Sequence, residues 1–196
     1  METQDITTLT GAIFSEEIRE NTARLLKQKE DWINKYPCSL TQLHHKNESC
    51  MGDHIRNVFA LAINLAAGYQ LPKDDADVLL SAVLLHDIGY EPITMEGEVK
   101  DTHWKYYPQT NWSRRRDYQA HPLIAAEIIG EVPFFKHKEI QAAVKSHMGV
   151  WSHGVCPTPN STIEHLCHTC DYLASRNSVS IVVKEPDINK YKETMA

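Results

Sequence analysis

Features typical of membrane, secreted and nucleic-acid-binding proteins are scarce in this chain of 196 residues. No apolar run approaches the ~18 residues of a transmembrane helix, and residues 1–5 are polar and acidic, so we expect neither a membrane span nor a signal peptide. Five cysteines are few and odd in number, which argues against a disulfide scaffold and favours a reducing, cytoplasmic location. The net charge of −6 argues against duplex nucleic acid as a partner, because duplex binding needs a basic surface.

Strand patterns and internal repeats are also missing, and apolar residues recur instead at helical spacing. We therefore predict an all-α protein with a single helical bundle domain and a long active-site loop at residues 90–119. The predicted helices cover residues 13–36, 52–69, 138–148 and 162–175, and two more begin at Asp74 and at His121. We expect residues 1–50 to form a helix and loop packed on the core, residues 51–177 to form the core, and residues 178–196 to form a tail.

Histidine is the unusually frequent residue, with eleven copies. Four histidines and two aspartates stand on or beside apolar helical faces, so their side chains are predicted to point inward. One inward histidine is ordinarily a hydrogen-bonded core residue, but four would need four buried partners, whereas one metal centre uses them all. The six residues are His54, His86, Asp87, His121, His147 and Asp171. Such ligands suit Fe, Mn, Co, Ni or Zn, and six of them can hold two ions ~3.5–4 Å apart.

Three stretches carry a family resemblance: residues 52–58 (GDHIRNV), 84–89 (LLHDIG) and 170–176 (CDYLASR). With His121 and His147 between them, the ligand order resembles that of the HD-domain superfamily of metal-dependent phosphohydrolases with dinuclear centres. The resemblance implies two divalent first-row metals held by the six residues, with Asp87 as the bridging ligand. It also implies hydrolysis of a small phosphate ester, a nucleotide or related metabolite, by metal-activated hydroxide.

The subclass within this superfamily is less defined. A cyclic-dinucleotide phosphodiesterase would carry a Gly-Tyr-Pro motif after paired histidines near position 147, and that motif is missing here. Some nucleotidases have an acidic residue four positions after the HD histidine, where this chain has Tyr90. The general acid is therefore left unassigned.

Substrate binding is expected to depend on cations and on one aromatic residue. We expect Asp87, Lys145 and Arg115 to be catalytic. The residues expected to bind substrate are Arg56, Arg114, Arg115, Arg116, Lys145 and Trp151, the last by stacking on a base. A basic triplet is also typical of a solvated turn, and a single tryptophan is also typical of packing.

Three other interpretations remain open at this stage. Diiron oxygenases of the same superfamily share the ligand order, and Glu91, Tyr90 or Lys145 would then contact an organic substrate. A non-catalytic binding module is a third possibility, although the intact ligand set counts against it. A separate zinc site is a further candidate, but its cysteines fall inside a predicted helix, so we interpret its members as buried small residues and surface histidines. Those members are Cys156, His165, Cys167, His168 and Cys170.

Overall fold

A computed structural model of the chain describes residues 5–34, 50–90, 94–95, 98–99, 111–176 and 186–196, with the backbone alone at 31–32, 94–95, 98–99 and 111–119. The α-helices are α1 (Glu16–Ile33), α2 (Met51–Gly68), α3 (Lys73–Leu85), α4 (Asn111–Gly130), α5 (His137–Ser146), α6 (Thr162–Ser175) and α7 (Ile188–Thr194). Two 3-10 helices, Ile6–Ala12 and Gly149–Ser152, accompany them. A short antiparallel pair joins β1 (Thr94–Met95) to β2 (Glu98–Val99). No helix in these described ranges is both long and apolar enough to cross a membrane.

Helix α3 lies at the centre of the bundle. It begins after Pro72 with Asp74 and Asp75 in its first turn, where acidic side chains favour helix formation. From Ala76 to Leu85 every residue is buried, because α1, α2, α5 and α6 all pack against this helix. A helix that is buried around its whole circumference needs packing neighbours on every side. The residues that follow Leu85 are therefore delivered into the protein interior.

The all-α prediction is confirmed, with local differences. Helix α4 begins at Asn111, so the last part of the predicted loop 90–119 is helical, and Pro122 lies inside the helix rather than in its first turn. Proline removes one backbone hydrogen bond but has a backbone angle compatible with a helix, and the neighbouring turns continue across it. The β1–β2 pair was not predicted, and two-residue strands leave too little pattern to detect.

The N-terminal segment is fastened to α3 by one buried carboxylate. Asp77 accepts backbone hydrogen bonds from Phe14 N at 2.8 Å and Ser15 N at 2.7 Å, just before α1 begins. Helix α7, which the sequence did not predict, packs on the first 3-10 helix and on α2, with Tyr191 buried. The proposed division into residues 1–50, 51–177 and 178–196 stays a prediction.

Candidate metal centre

The centre is built on the turn that ends α3. His86 and Asp87 follow Leu85 directly and are 0% and 6% exposed. The Nδ1 atom of His86 lies 2.8 Å from the carbonyl oxygen of Val83, an acceptor only, so Nδ1 carries the proton. This hydrogen bond leaves the Nε2 lone pair of His86 directed at the cluster, as a metal ligand requires.

Gly89 brings α4 against this turn. A Cβ atom at this position would collide with the backbone carbonyl oxygen of His121 and lie 2.6 Å from the backbone nitrogen of Ala125. Gly89 does not have a positive φ, so a left-handed turn is not the reason for a glycine here. The missing side chain instead permits backbone contact, and that contact places His121 beside Asp87.

The remaining members come from different helices. His54 lies in α2, His121 in α4, His147 directly after α5, and Asp171 in α6. The three histidines are each 1% exposed. His147 repeats the arrangement of His86, since its Nδ1 donates to the carbonyl oxygen of Val144 at 2.7 Å and its Nε2 faces the cluster. The structure therefore brings together all six residues that the sequence singled out.

Asp87 divides the cluster into two halves. Its Oδ2 lies 3.2 Å from Nε2 of His86 and 3.7 Å from Nε2 of His54, while its Oδ1 lies 3.1 Å from Nε2 of His121 and 3.6 Å from Nε2 of His147. Asp171 joins the first half, with Oδ1 3.1 Å from His54 Nε2 and 3.8 Å from His86 Nε2. Two adjacent buried triads that share Asp87 result, and each could hold a divalent metal.

The donor spacing fits metal ions. Donors that surround a cation tetrahedrally at ~2.1 Å lie about 3.4 Å from one another. The Nε2 atoms of His54 and His86 are 3.2 Å apart, and those of His121 and His147 are 3.0 Å apart. Since Nδ1 of His86 and of His147 donates to a backbone carbonyl, the Nε2 atoms of each pair face one another, and a shared cation would satisfy both nitrogens.

The charges in the cluster support the same interpretation. Burial opposes ionisation of Asp87, but His86 and His121 outweigh it and hold the pKa of this carboxyl well below its usual range. Burial likewise opposes ionisation of Asp171, and the hydrogen bond from His54 together with the charge of His86 lowers the pKa of that carboxyl. Two carboxylates thus stay ionised in the interior, where an uncompensated charge is costly.

The histidines respond in opposite directions. Burial disfavours protonation of His86, yet Asp87 and Asp171 raise its pKa above the ordinary value. Burial, followed by repulsion from His86 and His121, lowers the pKa of His147 to about 3. In the metal-free protein the carboxylates draw a proton onto one imidazole, and a bound cation would supply that positive charge instead.

The structure ties the predicted substrate residues less closely to the metal cluster than the six proposed metal ligands. Lys145 is half-buried near the end of α5, two residues before His147, and its ammonium makes no hydrogen bond or ion pair with any described residue. Arg56 lies against Gly52 and 3.9 Å from Asp53, not among the contacts of the cluster. Trp151 is 44% exposed in the second 3-10 helix. The side chains of Arg114, Arg115 and Arg116, and the whole of Glu91, lie outside the described residues.

Tyr90 is buried and stacks on the imidazole of His121, with ring centroids 3.9 Å apart and planes inclined by 20°. It therefore supports the position of a cluster histidine. No described contact gives it the role of a general acid.

The alternative zinc site does not form. Among the described residues, the only groups of His, Cys, Asp and Glu with converging ligand atoms are the two triads. Burial, assisted by Asp171, raises the pKa of the Cys170 thiol to about 12, so this cysteine is a poor metal ligand. His165 is exposed as expected, but His168 is not a surface histidine, since it is half-buried and its Nδ1 donates to the carbonyl oxygen of His147 at 2.5 Å.

Sequence reasoning missed the side chains that surround Trp151. The guanidinium carbon of Arg176 lies 4.6 Å from the ring centroids of both Trp151 and Tyr172. Tyr172 and Arg176 belong to the stretch CDYLASR, in which only Asp171 was assigned a role. Their four-residue spacing on a helix was the available signal.

The fold and the two triads define a helical protein with two adjacent buried His/Asp triads, each able to hold a divalent metal. The sequence matches the family described as HD domain over residues 51–176, so the chain belongs to this family, which falls within the superfamily of metal-dependent phosphohydrolases. No curated protein and no solved structure matches the chain.

Proposed function

We propose that this protein hydrolyses a small phosphate ester, a nucleotide or related metabolite, with two divalent metal ions held by the cluster. One observation carries the proposal: the two oxygens of Asp87 face separate histidine pairs. One carboxylate placed in this way can serve two cations, each of which a histidine pair also holds. The proposed ligands are His54, His86, Asp87 and Asp171 for one ion and Asp87, His121 and His147 for the other.

Divalent cations bound at such a centre lower the pKa of a water molecule and offset the negative charge of a phosphoryl group. The protein supplies fixed ligands, because His86 and His147 are oriented by backbone carbonyls from their own helices. The cluster is also buried, which strengthens its electrostatic interactions relative to those in water.

Positive side chains around the centre are proposed to bind the phosphate. Lys145 is half-buried, precedes His147 by two residues and makes no ion pair with any described residue. Arg114, Arg115 and Arg116 belong to α4, the helix that also carries His121. Arg56, held beside Asp53, would have to leave that contact to reach a substrate.

The test combines metal analysis with a substrate panel. Metal-free protein is loaded separately with Mn, Fe, Co, Ni and Zn, and phosphate release is followed from nucleotides, a cyclic dinucleotide and an aryl phosphate. We expect two ions per chain and phosphate release with at least one metal. Asp87→Ala should lose bound metal and phosphate release. Asp74→Ala, an exposed change on the same helix, is the matched control. Two irons with oxygen-dependent turnover and no phosphate release would instead indicate the oxygenase.

A further inference from the structure

A second cluster lies on the two segments that follow the proposed ligands His147 and Asp171 in the chain. It consists of Trp151, Tyr172 and Arg176, which we call the rim cluster. The rings of Trp151 and Tyr172 are nearly parallel, with planes inclined by 22° and centroids 6.3 Å apart. The guanidinium carbon of Arg176 is 4.6 Å from each centroid, so the cation packs against both aromatic faces.

The rim cluster is connected to the metal centre by short paths through the chain. Trp151 stands four residues after His147, and Tyr172 directly follows Asp171. His168 links the two segments, because it donates a hydrogen bond to the backbone of His147 and its ring lies 6.3 Å from that of Tyr172. The two segments that provide the rim cluster therefore also provide two of the proposed metal ligands.

Gly149 fixes the turn that carries Trp151. Its φ is +52°, and a Cβ atom there would lie 3.0 Å from the ring of His168. A side chain at this position would be strained and would push against His168. The absence of one lets the 3-10 helix rest on α6, so the position of Trp151 relative to Tyr172 is set by backbone packing.

The rim cluster has exposed aromatic surface and an unpaired hydrogen-bond donor. Trp151 and Tyr172 are 44% and 38% exposed, and the neighbouring Val150 and Val155 are also exposed. The Nε–H of Arg176 is buried and has no hydrogen-bond partner among the described residues. A buried donor without a partner is unfavourable, so a shift of the Arg176 side chain that brought this N–H to a ligand acceptor would remove that cost.

We propose that the rim cluster binds the nucleobase of a nucleoside phosphate whose phosphoryl group lies at the metal centre. This inference rests on the proposed function, since it assigns the substrate class of the same site. A nucleobase is planar and aromatic, so it stacks on the exposed rings and on the guanidinium plane. It also carries ring nitrogens and carbonyl oxygens that can accept the unpaired N–H of Arg176.

The electrostatics favour the same occupant. The chain carries a net charge of −6, so an anionic ligand depends on local cations. Arg176 supplies one beside aromatic surface, and its planar guanidinium can stack on a planar base, a contact that an aliphatic phosphate does not offer. A purely apolar ligand would leave the charge of Arg176 unused.

The experiment compares two probes that differ only in the base. Dissociation constants are measured by calorimetry on the metal-loaded protein. The ligands are the methylenephosphonate analogues of AMP and ribose 5-phosphate, which prevent turnover. The measured quantity is the ratio of the two constants, which reports the contribution of the base. We expect AMP to bind at least ~10-fold more tightly, as stacking on aromatic side chains generally gives.

Substitutions then assign the effect to the rim cluster. Trp151→Leu and Tyr172→Leu should each reduce the preference for AMP at least ~5-fold, and Trp151→Phe should retain most of it because the stacking surface remains. Arg176→Gln should also reduce the preference. Tyr69→Leu is the matched control, because Tyr69 is an exposed aromatic residue at the opposite end of α2 from His54.

The outcomes separate this inference from the proposed function. Equal affinity for the two probes, or an unchanged preference in Trp151→Leu and Tyr172→Leu, would overturn the base-binding role even if phosphate is released. A preference for AMP that depends on Trp151, in a protein that releases phosphate from no ester with any metal, would support the inference and overturn the proposed reaction.

Discussion

Removing the carboxylate of Asp87 should affect both halves of the metal centre at once. Each carboxylate oxygen lies 3.1 or 3.2 Å from one imidazole nitrogen and 3.6 or 3.7 Å from a second. A contact to a charged group contributes about 1.5–3 kcal/mol, which corresponds to a ~10- to 150-fold change in a dissociation constant. We therefore expect Asp87→Ala to weaken both metal sites by at least ~10-fold each.

The half that contains His121 and His147 should suffer more. Without Asp87 it retains two imidazoles, whereas the other half retains His54, His86 and Asp171. Asp171→Ala makes the contrasting prediction, because Asp171 contacts only the first half. That variant should lose one ion and keep the second near its original affinity.

The assay is a metal titration of chelator-treated protein, followed by elemental analysis after dialysis. Wild-type protein should retain two ions, Asp171→Ala one, and Asp87→Ala fewer than one. Urea unfolding of each metal-free variant checks that the fold survives, and Asp74→Ala serves as the exposed control. Two tightly held ions in Asp87→Ala, or equal weakening of both sites in Asp171→Ala, would refute the division of the cluster by Asp87.

Three further changes test how the fold supports the site. Asp77→Ala should lower the free energy of unfolding by about 3 kcal/mol in urea titrations, because it leaves two backbone N–H donors unpaired, whereas Asp74→Ala should change it little. Gly89→Ala should cost more than about 2 kcal/mol and reduce metal content, since the new methyl group meets the backbone of α4, while Gly68→Ala meets nothing within 4 Å and should be tolerated. The pKa of His147 is lowered to about 3 in the metal-free protein. The unfolded chain, with a histidine pKa of ~6.5, takes up the proton first as pH falls, so stability should drop by about 2 kcal/mol from pH ~6 to ~4.5. His147→Gln should remove most of that drop.

Helical periodicity was enough to predict the direction of the cluster residues. His54 and His147 follow apolar residues at intervals of three and four, so any helix formed there must turn their side chains inward. The same reasoning gave the bounds of α6 without error. The direction of a side chain on a helix depends only on nearby residues, so the packing of the bundle did not alter it.

Features that depend on contacts between distant segments were not predictable in this way. The contact between α4 and the turn at Gly89 has no signature in the sequence, so the need for glycine at this position was not predicted. Pro122 was placed in a first turn because proline favours that position, but the residues before it also form helix in this environment. The contact between Arg176 and Trp151 joins residues 25 positions apart in the chain. The 3-10 turn that carries Trp151 showed no helical periodicity in the sequence.

The location of the centre follows from the burial of α3. Because α1, α2, α5 and α6 enclose this helix, the two residues that continue it, His86 and Asp87, have little access to bulk solvent. Polar groups in that position destabilise the fold unless partners surround them, and the partners come from the helices that cause the burial. The assembled cluster still concentrates two carboxylates and four imidazoles in the interior. A cation satisfies that excess of acceptors, so metal binding and folding are expected to stabilise each other.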